Sequence, residues 1–148
     1  MHTTFQVLII DSDRKRLDQL AGMVWSLAAP NLTLLVVECL SIADAISELM
    51  SARIQDRFPD VIITRHDDLE TKPGFTRPHC AEELMGIIEA VSPKTCLAVF
   101  QTRPIEMREG NSFPLVLLPK GSEEALHQIL LYRIAEKVHS PSGTVVQA

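Results

Sequence analysis

The chain has 148 residues, 46% of them hydrophobic, with 14 basic and 19 acidic side chains and a net charge of −5. This length suits one compact domain, and the apolar share is enough to fill a core, which excludes a disordered chain. The acidic balance gives no general electrostatic reason to bind DNA or an anionic membrane, so nucleic-acid binding by this domain alone is disfavoured.

Residues 5–10 (FQVLII) form a short apolar run stopped by Asp11, Ser12 and Asp13, the pattern of a buried strand followed by a helix cap on Ser12 or Asp13. Leu17, Leu20, Ala21, Val24 and Ala28 then repeat at helical spacing until Pro30 and Asn31 break the pattern. Trp25 on this helix reads as a core or interface residue. Residues 32–37 (LTLLVV) are expected to form a strand covered on both faces. Ser41 caps a second helix with Ile42, Ala45, Ile46 and Leu49 on one stripe. Pro59 and Asp60 lead into a third strand, Val61, Ile62 and Ile63. A polar loop over 65–78 precedes a helix carrying Ala81, Leu84, Met85 and Ile88, which Ser92 and Pro93 break.

Residues 96–100 (CLAVF) give a fourth strand and 115–118 (LVLL) a fifth, while Pro104, Gly110 and Asn111 permit at most a short helix between them. Ser122, Glu123 and Glu124 open a last helix with Leu126, Ile129, Leu130 and Ile134 towards the core. The domain is thus expected over 1–138, with 139–148 a Ser-, Pro- and Gly-containing tail or the start of a linker. The amino terminus has no basic n-region, long apolar core or cleavage pattern, and no apolar run is long enough to span a bilayer. Three widely spaced cysteines, Cys39, Cys80 and Cys96, fit a reducing, cytoplasmic setting, with Cys39 and Cys96 as small buried hydrophobes.

Strands alternating with helices argue for a parallel sheet with helices on both faces. In such folds the functional site lies at the carboxyl ends of the strands, at the topological switch point. The side chains to weigh are therefore Asp11 to Asp13, Arg65 to Asp68, Gln101 to Arg103, and Lys120. Elsewhere the signals are weak. His79 and Cys80 lack partners at zinc-ligand spacing, Asn31 to Thr33 fits a sequon with no route to secretion, and neither a phosphate-cradling glycine loop nor a G-x-S-x-G elbow is present.

Four segments in order carry a resemblance to a known family: 7–13 (VLIIDSD), 59–64 (PDVIIT), 99–102 (VFQT) and 118–120 (LPK). Together they resemble the receiver domain of bacterial response regulators, over about residues 5 to 138. The resemblance implies a doubly wound, flavodoxin-like α/β fold with five parallel strands in the order 2-1-3-4-5. It also implies a phosphorylation pocket built from an acidic pair, an acceptor aspartate, a hydroxyl and a lysine. Asp11 matches the first acid, Thr102 the hydroxyl and Lys120 the lysine.

The departures fall on the chemistry. Ser12 stands where the family has the acid that coordinates Mg²⁺, and Arg65 stands at the phosphoacceptor position. Gly121 follows Lys120 in place of proline, and the aromatic switch position falls on Leu117. A pocket of Asp11, Arg65 and Lys120 carries two positive charges against one negative, unless Asp13 turns inward, and is poorly suited to a hard cation that needs carboxylate oxygens. No cofactor is expected. Arg65 either pairs with Asp11 through its planar fork or forms a small anion site with Lys120 and Thr102.

The resulting expectation is a degenerate receiver, not an enzyme, acting in signal transduction as a phosphorylation-independent interaction module. It would control an attached or partner output domain, such as one regulating transcription, through a protein-binding and possible homodimer surface over 103–132. Two alternatives stay open. One is a phosphorylatable receiver with a displaced acceptor at Asp67 or Asp68, with His66 a weaker choice; the other is a small flavodoxin-like enzyme or ligand-binding domain.

Overall fold

The computed structural model describes residues 2–55, 57–65, 80–100, 113–119 and 121–139. In chain order these form β1 (Thr3–Ile10), α1 (Arg14–Trp25), β2 (Leu32–Cys39), α2 (Ile42–Gln55), β3 (Val61–Arg65), α3 (Cys80–Val91), β4 (Cys96–Phe100), β5 (Leu115–Leu118) and α4 (Glu123–His139). The strands make one parallel sheet of five in the order β2-β1-β3-β4-β5. This is the doubly wound, flavodoxin-like arrangement expected from the alternation of elements and the receiver resemblance.

The side-chain alternation of the strands divides the core into two layers. Phe5, Val7 and Ile9 on β1 join Val61, Ile63, Cys96 and Ala98 beneath α1 and α4, which contribute Leu17, Leu20, Val24, Leu126 and Leu130. Leu8 and Ile10 join Ile62, Leu97 and Val99 on the other face beneath α2 and α3, which contribute Ile42, Ala45, Leu49, Leu84 and Ile88. Each helix supplies apolar positions three or four apart, the spacing that keeps one stripe against the sheet. The central strands β3 and β4 are buried on both faces, as a parallel strand flanked by helices requires.

Local chemistry sets the helix starts. The Asp13 carboxylate accepts from the Lys15 N–H at 2.9 Å, so Asp13 rather than Ser12 caps α1. Ser41 Oγ accepts from Asp44 N–H at 3.1 Å at the head of α2, and Ser122 Oγ accepts from Ala125 N–H at 3.3 Å at the head of α4. Gly121, just before that turn, has φ of 71°, the left-handed region where a side chain would be strained.

Several expectations need correction. β2 is not covered on both faces: it is the sheet edge, and Leu35 and Val37 are 41% and 37% exposed. α1 stops at Trp25, so Ala28 lies beyond the helix and is exposed instead of continuing its stripe. Trp25, the last residue of α1, is 50% exposed, which removes it from the core. The short helix expected between the fourth and fifth strands and the tail from residue 140 lie outside the described residues. Among the described residues, no helix is long and apolar enough to cross a membrane.

Opposite the carboxyl ends of the strands, Asp60 clasps the base of the sheet. Its carboxylate accepts from the Gln6 N–H at 2.8 Å and from Lys137 Nζ at 2.9 Å, joining β1 to the end of α4. Its backbone N–H donates to Gln6 O and its carbonyl accepts from Cys96 N–H, so one residue aligns β1, β3 and β4. Thr95, buried beside it, donates to Pro59 O at 2.7 Å.

Candidate functional site

Parallel pairing puts Asp11 and Arg65 at the same edge of the sheet. β1 pairs with β3 at Val7↔Val61, Leu8↔Ile62 and Ile9↔Ile63. The pairing stops there, one residue before the end of β1 and two before the end of β3. Arg65 is the last residue of β3, half-buried and level with Phe100 of β4. Asp11 follows β1 and is anchored to the end of β2, where its N–H donates to Cys39 O at 3.0 Å.

The Asp11 carboxylate is fully buried and fully engaged. Oδ1 accepts from the Asp13 N–H at 2.8 Å and from Arg16 Nη2 at 3.1 Å, while Oδ2 accepts from Arg16 Nε at 3.1 Å. The remaining guanidinium nitrogen, Arg16 Nη1, lies 3.2 Å from Asp13 Oδ2. One planar fork therefore spans both carboxylates, with its fixed donor geometry matched to Asp11. The Asp13 oxygen not facing Arg16 takes the helix N–H of Lys15. Asp13 thus joins the cluster through its carboxylate, and the charge that meets both acids comes from α1.

Arg16 is the residue that sequence reasoning missed. The expected choices for Asp11 were an Arg65 fork or an anion pocket, whereas the fork on Asp11 comes from Arg16, one turn into α1. The available signal was its spacing: three residues after the capping aspartate, Arg16 lies on the same helix face. Within the run Arg14, Lys15, Arg16, that signal is hard to separate from a solvated basic face.

The remaining predicted positions separate. Ser12 is exposed and contributes no carboxylate. Leu117 sits on β5 with 36% of its surface exposed. Thr102, Lys120, Asp67, Asp68 and His66 lie outside the described residues. Among the described residues, no group of three or more His, Cys, Asp and Glu side chains is arranged to hold a metal ion. The acid cluster itself does not fit Mg²⁺, because Arg16 donors already occupy both oxygens of Asp11 and Ser12 offers no carboxylate.

Cys39 and Cys96 are buried beneath opposite faces of the sheet. Burial, with Glu48 and Asp44 adding to it, pushes the Cys39 thiol up from 9.0 to about 12. Burial also pushes Cys96 up, and the nearby Arg133 guanidinium opposes it. Both are structural thiols, poorly suited to nucleophilic chemistry at neutral pH.

Comparison with solved structures places this fold among receiver domains. A response regulator receiver domain protein from Bacillus halodurans C-125 superposes with a TM-score of 0.59 at 16% identity, over 88% of this chain and 97% of that one. A two component transcriptional regulator AraC from Clostridium phytofermentans ISDg gives 0.60 at 12% identity, over 93% and 98%. A CheY-like response regulator receiver domain protein from Methanospirillum hungatei JF-1 gives 0.57 at 10% identity, over 92% and 98%. No family model matches the chain, and no curated protein matches it. At these identities the likeness is one of fold.

Proposed function

We propose that this chain is an atypical receiver-like domain that serves signal transduction as a protein-interaction module and does so without phosphoryl transfer. The observation that carries the reading is the Asp11 cluster. Its first acid is buried under an internal arginine fork, and the neighbouring strand β3 ends in Arg65. A phosphoryl-accepting pocket needs a free carboxylate nucleophile beside a bound divalent cation. Here the acids are already neutralised from within by Arg16, and the residue that ends β3, Arg65, is a cation.

The same arrangement suits a module held in one state. Arg16 ties the β1–α1 loop to the helix that follows, so the loop has no charge change to respond to. The binding function then falls to the far side of the sheet. Leu117 on β5 and Leu131 and Tyr132 on α4 are exposed apolar side chains within the 103–132 surface expected to meet a protein partner or output domain. Such a surface supports recognition of another protein more readily than of nucleic acid, given the net charge of −5. No enzymatic activity is part of this reading.

The experiment is intact mass spectrometry after incubation with Mg²⁺ and a small acyl-phosphate donor, for the parent protein and for Arg65→Asp. The expected result is no phosphoryl adduct on the parent. A parent adduct mapping to Asp67, Asp68 or Asp13 overturns the proposal and makes the protein a switch with a displaced acceptor. Gain of an adduct by Arg65→Asp alone would locate the block at that strand end.

A further inference from the structure

We infer that the β2 edge of the sheet is a self-association surface, at which a second copy of this chain adds its own β2 in antiparallel pairing. Among the described residues, all eight residues of β2 pair with β1, and on the outer side only its first residue, Leu32, is engaged, by a bridge to Ala29. Its outer side therefore presents a row of backbone donors and acceptors, and groups of that kind are satisfied by another strand. The opposite edge, β5, has four residues and offers half that ladder.

The side chains point the same way. Natural edges are blunted by lysines, prolines or inward charges. β2 reads LTLLVVEC, with Glu38 its one charged residue. Leu35 and Val37 are exposed on it, and beside them Trp25 is exposed at the end of α1. These three line an open groove of about 430 Å³ that runs along the strand between α1 and α2.

The strand is complementary to itself. A two-fold axis through Leu35 sets Leu35 against its own counterpart, Leu34 against Val36, Thr33 against Val37, and Leu32 against Glu38. From Thr33 to Val37 every apolar position meets an apolar or neutral one, Glu38 meets Leu32, and no like charges oppose each other. The seven residues that pair span about 24 Å. One strand pair of that length buries less than a standard specific interface, about 1,200 Å², so the dimer is weak and concentration-dependent.

Sedimentation velocity of the full chain, from low micromolar to near-millimolar concentration, tests this. The parent is expected to pass from monomer to dimer. The Leu35→Lys/Val37→Lys variant, which sets like charges against each other across the axis, is expected to raise the dissociation constant at least about tenfold. Tyr132→Lys, on the other side of the molecule, is expected to leave it unchanged. Hydrogen exchange of the parent gives a second reading that no variant's folding can obscure: β2 amides should gain protection as concentration rises. A parent that stays monomeric throughout, or a dimer lost in Tyr132→Lys and kept in the β2 variant, overturns the inference. The first result would leave the edge to a strand of a different protein, and the second would move self-association to the β5–α4 face. Neither depends on whether the Asp11 cluster accepts phosphate.

Discussion

Arg16 fixes Asp11 through Nε and Nη2 at 3.1 Å each, and the carboxylate it meets has no access to water. Truncating the arginine would leave a buried charge with one N–H donor, from Asp13. The guanidinium is 43% exposed, so solvent screens part of the attraction and water can re-enter when it is removed. Arg16→Ala is therefore expected to destabilise the fold by about 2 kcal/mol, below the larger losses seen when a wholly buried pair is broken. Arg16→Lys should recover less than half of that, since a point charge cannot donate in parallel to both oxygens. Urea denaturation midpoints of the three proteins check the order. Equal stability of Arg16→Lys and the parent would show that charge alone, without the fork, holds Asp11. At this scale the sequence exposed the acids but not their partner. Asp11 and Asp13 are marked by their place at a strand end, while Arg16 is one of three consecutive basic residues and becomes distinct only when the helix turns it inward.

The elements were more legible than their neighbours in the sheet. β3 and β4 are apolar runs bounded by breakers, and burial on both faces makes such runs unambiguous. The run in β2 looked the same and lies at the edge, because a continuous apolar stretch does not reveal which strands flank it. Sheet order came from family resemblance, since periodicity carries no long-range pairing. α2 shows how cap and stripe divide the work of positioning one helix. Ser41 accepts a single N–H at its start, and Leu49, 2% exposed, lies in the same buried layer as Leu8 and Cys39. Ser41→Ala should cost about 1 kcal/mol, the usual value of an N-cap. Leu49→Ala should cost about 3 kcal/mol, through lost burial and the cavity left behind. Thermal melts that rank the two the other way would mean that α2 is held by its terminus and not by its face.

For the molecule as a whole, the buried thiols couple folding to alkaline pH. In the folded protein Cys39 keeps its proton until about pH 12, because burial and the carboxylates of Glu48 and Asp44 disfavour the thiolate. In the unfolded chain the same group ionises near its ordinary value of 9.0. Below that pH both states hold the proton and the thiol contributes no pH dependence. Above it the unfolded state releases a proton that the folded state retains, so stability falls progressively as pH rises from 9.0 towards 12. Cys96 is shifted in the same direction and adds to the slope, its share lessened by Arg133. The two lie beneath opposite faces of one sheet, so each layer of the core holds one of the thiols that contribute to this slope. Denaturation midpoints measured on either side of pH 9 should fall more steeply for the parent than for Cys39→Ala, and least for the variant lacking both thiols. Alanine at either site leaves a small cavity that lowers stability equally at every pH, which separates packing from ionisation: packing shifts the whole curve, and the thiol sets its slope. Parallel curves for parent and variants would mean that the alkaline loss comes from other groups and that water reaches Cys39 in the folded state.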